Sequence, residues 1–202
     1  MTGSALQEYT RGILTHVPWE HWVVMVVVSL ALTVILLIRK KCSVYGAIAL
    51  GFAVFIGLVL LDTAVLIRHL GLLLNGTGRN LGFTLDRLLH GSEVARSEVI
   101  SNLIVFIPFG FFLAEYLASL KRLSFVHRLG LVTLTAFSLS LFIECLQLVL
   151  KVGYFEVMDM VLNTVGGIVG TGVSLLLRRF LRSRVFERND DTSQQPPFPT
   201  ND

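Results

Sequence analysis

Five apolar runs, each close to the ~20 residues that an α-helix needs to cross a hydrocarbon core, constrain this chain more than any other feature. They are Trp22 to Ile38, Val44 to Ile67, Leu103 to Leu120, Leu129 to Leu150 and Met160 to Leu177. With 53% hydrophobic and 15% charged residues, the 202-residue chain has too little polar surface to cover five such runs as a soluble globule. The bilayer is therefore its solvent. Lipid offers the backbone no hydrogen bonds, so each run has to satisfy its own amides as a helix. The expected fold class is all-α, a polytopic transmembrane helical bundle of about five spans. The length leaves no room for a sizeable soluble catalytic domain, and any chemistry has to sit among the spans.

Orientation follows from lysine and arginine, which favour cytoplasmic loops. The first run is followed by Arg39, Lys40 and Lys41 and has no cationic segment before it, so it reads as a retained span and not as a cleaved signal. One side collects that cluster, then Lys121, Arg122 and Arg128, then Arg178, Arg179, Arg182, Arg184 and Arg188, eleven in all. The other side has six, Arg11, Arg68, Arg79, Arg87, Arg96 and Lys151. The N-terminus is accordingly expected outside and the C-terminus in the cytoplasm, with residues 1–21 as an extracytoplasmic segment, 22–184 as the transmembrane domain and 185–202 as a disordered cytoplasmic tail. Between the second and third spans, the glycine-rich connector and the stretch FTLDRLLHGSEVARSEVISN suggest a short interfacial helix in the outer loop. Cys42 and Cys145 fall at opposite depths, which argues against a disulfide, and no metal-ligand spacing occurs.

Polar side chains inside the spans gather at one depth. Asp62 and Thr63 end the second span, Ser101 and Asn102 open the third, Glu144 and Gln147 end the fourth, and Asp159 and Asn163 open the fifth. On the orientation above, all lie toward the outer leaflet. A charge at membrane depth costs about 2.5–3.5 kcal/mol on insertion scales and normally faces the bundle interior with a partner. Ser140, Glu144 and Gln147 form one stripe of the fourth span, and Asp159 and Asn163 share a face of the fifth. The short connection KVGYFEVMD sets the two helices antiparallel and brings these stripes together. Gly166 and Gly170 allow close helix contact, while Pro108 and Gly110 are expected to loosen the third span and free backbone carbonyls.

Amides in membrane bundles also act as interhelical glue, at about 1 kcal/mol or less per contact, and Asn102, Gln147 and Asn163 are each open to that role. Glu144 and Asp159 are harder to explain as glue, with only Lys151 or a loop arginine to pair them. Glu115 reads as a structural residue that snorkels or pairs with Lys121 or Arg122. The five histidines have no ligand spacing, and Trp19, Trp22 and Tyr45 read as interface anchors. Neither a G-x-S-x-G elbow nor a P-loop is present, no cofactor is implied, and the basic residues report orientation and not nucleic-acid binding.

The segments NLIVFIPFGFFLAEYL and FIECLQLVLKVGYFEVMDMVLNTVGGIVG resemble the VanZ-like family of bacterial membrane proteins. The resemblance rests on a combination: Asn then F-x-P-x-G in one span, E-x-x-Q ending the next, and D-x-x-x-N-x-x-G opening the last. Carried over residue by residue, it points to Asn102, Phe106, Pro108, Gly110, Glu144, Gln147, Asp159, Asn163 and Gly166. Members often have an arginine before the aspartate; here GYFEVMD stands there, with Lys151 the nearest cation, and lysine is not an equivalent fork for carboxylate or phosphate. The family is named for low-level resistance to teicoplanin-type glycopeptides, which implies a role at the cell envelope and a multi-pass place in the bacterial membrane.

Three readings stay open at this level. In the first, Asn102, Glu144, Gln147, Asp159 and Asn163 line an outward-facing polar pocket for a lipid-linked or amphipathic ligand, with membrane lipids or a lipid-linked envelope precursor as partners. In the second, Glu144 and Asp159 form the acid/base pair of a lipid-modifying enzyme, although no nucleophile is identifiable. In the third, the protein is a non-catalytic membrane assembly factor. A transporter fits less well, because no inverted repeat is evident and the polar residues avoid the midplane.

Overall fold

In a computed structural model, the chain is described over residues 18–39, 42–69, 90, 93–120, 123–151 and 155–193, with side chains at 65–69, 93–99 and 183–193 outside that description. Among these residues five α-helices follow one another: α1 (Trp19–Ile38), α2 (Val44–His69), α3 (Glu93–Ser119), α4 (Phe125–Val149) and α5 (Val157–Ser193). All five contain a stretch long and apolar enough to cross a membrane. No strand occurs among the described residues.

The helices overrun the apolar stretches that announce them, because a helix is held by its own amide ladder and ends only where that ladder is broken or capped. α3 begins at Glu93, so the second half of the stretch expected as an interfacial helix forms the first turns of α3, ahead of its apolar part from Ile100. Most of its first half, and the connector before it, lie outside the described residues. α5 runs to Ser193, through residues 185–193 of the segment expected as a tail, while 194–202 lie outside the described residues. α4 starts at a Ser124 cap whose hydroxyl accepts from the His127 amide at 3.4 Å. At its other end Leu150 caps the helix, and Lys151 turns the chain with φ 55°, a left-handed value that costs a non-glycine residue about 1–2 kcal/mol.

Connectivity sets two ends to the bundle. The α4–α5 turn, the start of α3 and the finish of α2 share one end; the α1–α2 and α3–α4 connections share the other. α3 and α5 run parallel and make the most extensive contact, α2 packs on α3, and α1 reaches the bundle chiefly through α2. Leu60, Phe106, Phe109, Ala136 and Ile143 form the main core among α2, α3 and α4, and Ala114, Leu117 and Val132 form a second cluster nearer the α3–α4 turn. Phe106 and Phe109 meet edge to face, with centroids 5.8 Å apart.

Glycine makes the α3–α5 seam. A Cβ on Gly166 would strike the Leu103 carbonyl and sit 2.9 Å from Phe106 Cβ, and one on Gly170 would strike the Ile107 carbonyl and sit 2.7 Å from the Phe111 nitrogen. From the α3 side, a Cβ on Gly110 would lie 2.6 Å from Gly167 Cα. Apart from Phe106 Cβ these neighbours are backbone atoms, so no flexible side chain can give way. α3 continues through Pro108, which lacks the amide that would bond the carbonyl four residues back and which faces outward.

Candidate functional site

The stripe of α4 faces inward. Ser140, Glu144 and Gln147 are all buried, at 0%, 2% and 2% exposure. Each meets a different neighbour. Asn163 of α5 donates its amide to the Ser140 hydroxyl at 2.8 Å, which pins α5 to α4 at that depth. One turn nearer the α4–α5 connection, a Glu144 carboxylate oxygen accepts the backbone N–H of Glu156 at 2.8 Å. Gln147, nearest the connection, reaches the other way and donates to the Ala64 carbonyl of α2 at 3.0 Å.

The geometry at Glu156 explains why the carboxylate is tolerated there. Glu156 immediately precedes α5, and its carbonyl accepts the Asp159 amide at 3.1 Å in the helix's first turn. Glu144 therefore meets α5 where unsatisfied amides and the positive end of the helix dipole favour an anion. Asp159 lies in that same first turn and is half-buried. The left-handed turn at Lys151 carries the chain back over the end of α4, which lets a residue of α5's entry meet Glu144 only twelve positions along the chain.

The five expected site residues are thus placed unequally. Glu144, Gln147 and Asn163 converge on the α4–α5 and α2–α4 seams through the bonds above, and Asp159 stands at the head of α5 beside them. Asn102 is half-buried on α3 and has no hydrogen bond among the described residues. Of the motif residues, Phe106 is core, Gly110, Gly166 and Gly170 make the α3–α5 seam, and Pro108 is exposed.

Among the described residues two buried amide oxygens remain without a partner, Gln147 Oε1 and Asn163 Oδ1. Both amides give their N–H to a neighbouring helix and leave the carbonyl free. An orphaned acceptor in a dry interior costs about 1–3 kcal/mol. The two carbonyls are therefore acceptors still open to a donor. Among the described residues no cluster of His, Cys, Asp and Glu is suited to a metal.

Three polar features go beyond what the sequence resolved, in the residue itself for Glu156 and in the partner for Asp62 and Glu115. Glu156 is buried at 3% exposure beside Glu144, although it reads in sequence as an ordinary loop acid. At the same end of the bundle, His21 Nδ1 and Asp62 Oδ1 pair at 2.8 Å across α1 and α2. At the opposite end, Glu115 is 2% exposed and pairs with Arg178 of α5, while Lys121 and Arg122, the partners expected from the sequence, lie outside the described residues. Arg178 donates Nε to Glu115 Oε1 at 3.0 Å and Nη2 to Oε2 at 2.6 Å, Ser174 donates to Oε1 at 2.5 Å, and the Tyr45 hydroxyl of α2 donates to Oε2. A signal for this pair was present: Arg178 follows Glu115 by 63 positions, the same offset that sets Gly166 on Leu103 and Gly170 on Ile107. Only the register of α5 on α3 makes that offset meaningful.

Residues 63–178 match the VanZ/LLP1 family. Among curated proteins, the chain is similar to Protein VanZ of Enterococcus faecium, 31% identical over 91 residues that cover 45% of this chain and 52% of that protein. The chain thus spans about half the length of this relative. No solved structure matches. The family segment begins at the end of α2 and closes at Arg178, so it takes in both the α4–α5 site and the Glu115 pair and leaves α1 and most of α2 outside.

Proposed function

The chain belongs to the VanZ/LLP1 family, and from that premise we propose that it is an envelope protein of the bacterial membrane that binds an amphipathic or lipid-linked ligand at the α4–α5 end and so lowers susceptibility to teicoplanin-type glycopeptides. In this reading the N-terminus and the α4–α5 end face outward and the end of α5 faces the cytoplasm, following the lysine and arginine distribution. The ligand is a donor-rich headgroup that enters among Asn102, Glu144, Gln147, Asp159 and Asn163. The observation that carries the reading is the pair of buried, unpartnered oxygens, Gln147 Oε1 and Asn163 Oδ1, on either side of Glu144 along the seam. A bundle selected for cohesion alone gains nothing from acceptors left open.

The competing reading is an assembly factor whose polar residues only knit helices, favoured by the bonds from Gln147 to Ala64 and from Asn163 to Ser140. Charge separates the two. Glu144→Gln keeps an oxygen for the Glu156 amide, and Asp159→Asn keeps the size of the side chain, so both preserve most of the glue and remove the anion. Each variant is expected to abolish glycopeptide tolerance, normalised to membrane abundance, without lowering that abundance. Wild-type tolerance in both assigns the carboxylates to structure and leaves the assembly-factor reading standing.

A further inference from the structure

Away from the α4–α5 site, α1 and α2 leave a groove of about 240 Å³ along their seam, lined chiefly by Val26, Leu30, Ile48, Phe52 and Phe55. Gly51, where a Cβ would strike the Thr33 hydroxyl, lets the two helices touch at the groove's floor. The lining spans about seven residues of each helix, roughly 10 Å of rise against a leaflet about 15 Å thick. Its two hydroxyls are already committed, Ser29 to the Met25 carbonyl at 2.7 Å and Thr33 to the Ser29 carbonyl at 2.9 Å. Nothing in the groove therefore asks for a polar occupant, and both walls are spans that face lipid.

The upper end of the groove is different. Phe55 meets Trp22 with ring centroids 6.4 Å apart, and the neighbouring His21 pairs with Asp62. Asp62 lies seven residues beyond Phe55, two helical turns along the same face of α2, so the carboxylate stands over the groove. One of its oxygens is held by His21, and the other, Oδ2, is buried and has no donor among the described residues. Rotation about the last side-chain torsion, which is broad and two-fold for aspartate, presents either oxygen. An apolar channel at membrane depth thus opens beneath an anion short of one donor.

We propose that this seam is a binding site for one membrane phospholipid with a primary-ammonium headgroup, its acyl chain in the groove and its ammonium at Asp62. Charge complementarity selects the headgroup, and the dry lining selects the chain. The site is built wholly from residues that precede the family-matched segment, so it is independent of the function proposed for the α4–α5 end.

The test uses the full chain in nanodiscs of equal phosphatidylethanolamine and phosphatidylglycerol, with retained lipid read by native mass spectrometry after gentle release. The wild type is expected to retain one lipid, with phosphatidylethanolamine favoured about fivefold, the ratio that a well-formed exposed ion pair supports. Asp62→Asn is expected to keep the bound lipid and bring the two headgroups to near parity. Val26→Trp and, from the opposite wall, Ile48→Trp fill the groove and are expected to remove the retained lipid. Both positions are exposed to the bilayer, so the larger ring needs no repacking of the core. Thermal unfolding of each variant, matched to the wild type, certifies the fold. No retained lipid in the wild type, retention unchanged in both tryptophan variants, or a headgroup preference that survives Asp62→Asn overturns the proposal. Preference for phosphatidylglycerol also overturns it.

Discussion

Replacing Arg178 with alanine removes one side of the polar cluster in which Glu115 accepts from Arg178, Ser174 and Tyr45. Glu115, 2% exposed in the intact bundle, then keeps the Ser174 and Tyr45 hydroxyls as donors and loses the counter-charge of Arg178. Breaking a buried ion pair from one side costs about 3–5 kcal/mol. The two remaining hydroxyls, together with the partial exposure of Arg178 itself, 35% against 3% for Glu115, place the expected loss near the lower end, about 3 kcal/mol. For a chain of this size that corresponds to a fall in Tm of about 6–12 °C. The double replacement Glu115→Leu with Arg178→Leu removes both charges and fills the space with hydrocarbon, and it is expected to recover to within about 1 kcal/mol of the wild type. Thermal unfolding of the full chain in nanodiscs, followed by circular dichroism for the wild type, Glu115→Leu, Arg178→Leu and the double, closes a double-mutant cycle, with Arg178→Ala measured beside it. A coupling energy below about 0.5 kcal/mol, the scatter of independent sites, with Arg178→Ala unfolding near the wild-type temperature, would refute the claim that the pair clamps α5 to α3.

The glycine seam makes a paired prediction for the same assay. Gly170→Ala drives a methyl into the Ile107 carbonyl and is expected to cost about 1–3 kcal/mol, whereas Gly172→Ala, with open space around it, is expected to gain about 0.5–1 kcal/mol from helix propensity. Asn163→Leu removes the bond to Ser140, leaves that hydroxyl unpaired in the interior, and is expected to lower both membrane abundance and any tolerance phenotype, as read on immunoblots and by teicoplanin susceptibility. For orientation, an engineered cysteine in the tail is expected to resist a membrane-impermeant maleimide in intact cells, while one in the 68–101 connection reacts; the reverse pattern inverts the topology.

At the α4–α5 site, the part legible in the sequence was the part governed by periodicity. Ser140, Glu144 and Gln147 share a stripe because they recur every three or four residues, and the short KVGYFEVMD connection leaves α5 little choice but to return beside α4. What periodicity cannot convey is which atom of a neighbouring helix each side chain meets. Gln147 turns to the α2 backbone at Ala64, 83 positions away. Glu144 takes the amide that begins α5, and Glu156 is buried by that same contact. Asn102 has the right depth but lacks a hydrogen bond among the described residues, since depth says nothing of azimuth.

Five helices fit to span a membrane among the described residues were legible from the sequence alone, because a run of about twenty apolar residues has one stable form in lipid and each run satisfies its own backbone. The tight packing of Gly166 and Gly170 was also legible, since small residues four apart make a flat face on any helix. Their partner was not: the sequence contains no record that α5 lies parallel to α3 with Gly166 on Leu103. Tertiary structure alone decided that register, and with it the pairing of Glu115 with Arg178 across 63 positions. The physical reason is range. Helix formation is local and is written in nearest neighbours, but a contact between parallel helices depends on two faces meeting at one rotation and one height. Those two variables are settled only when the whole bundle packs.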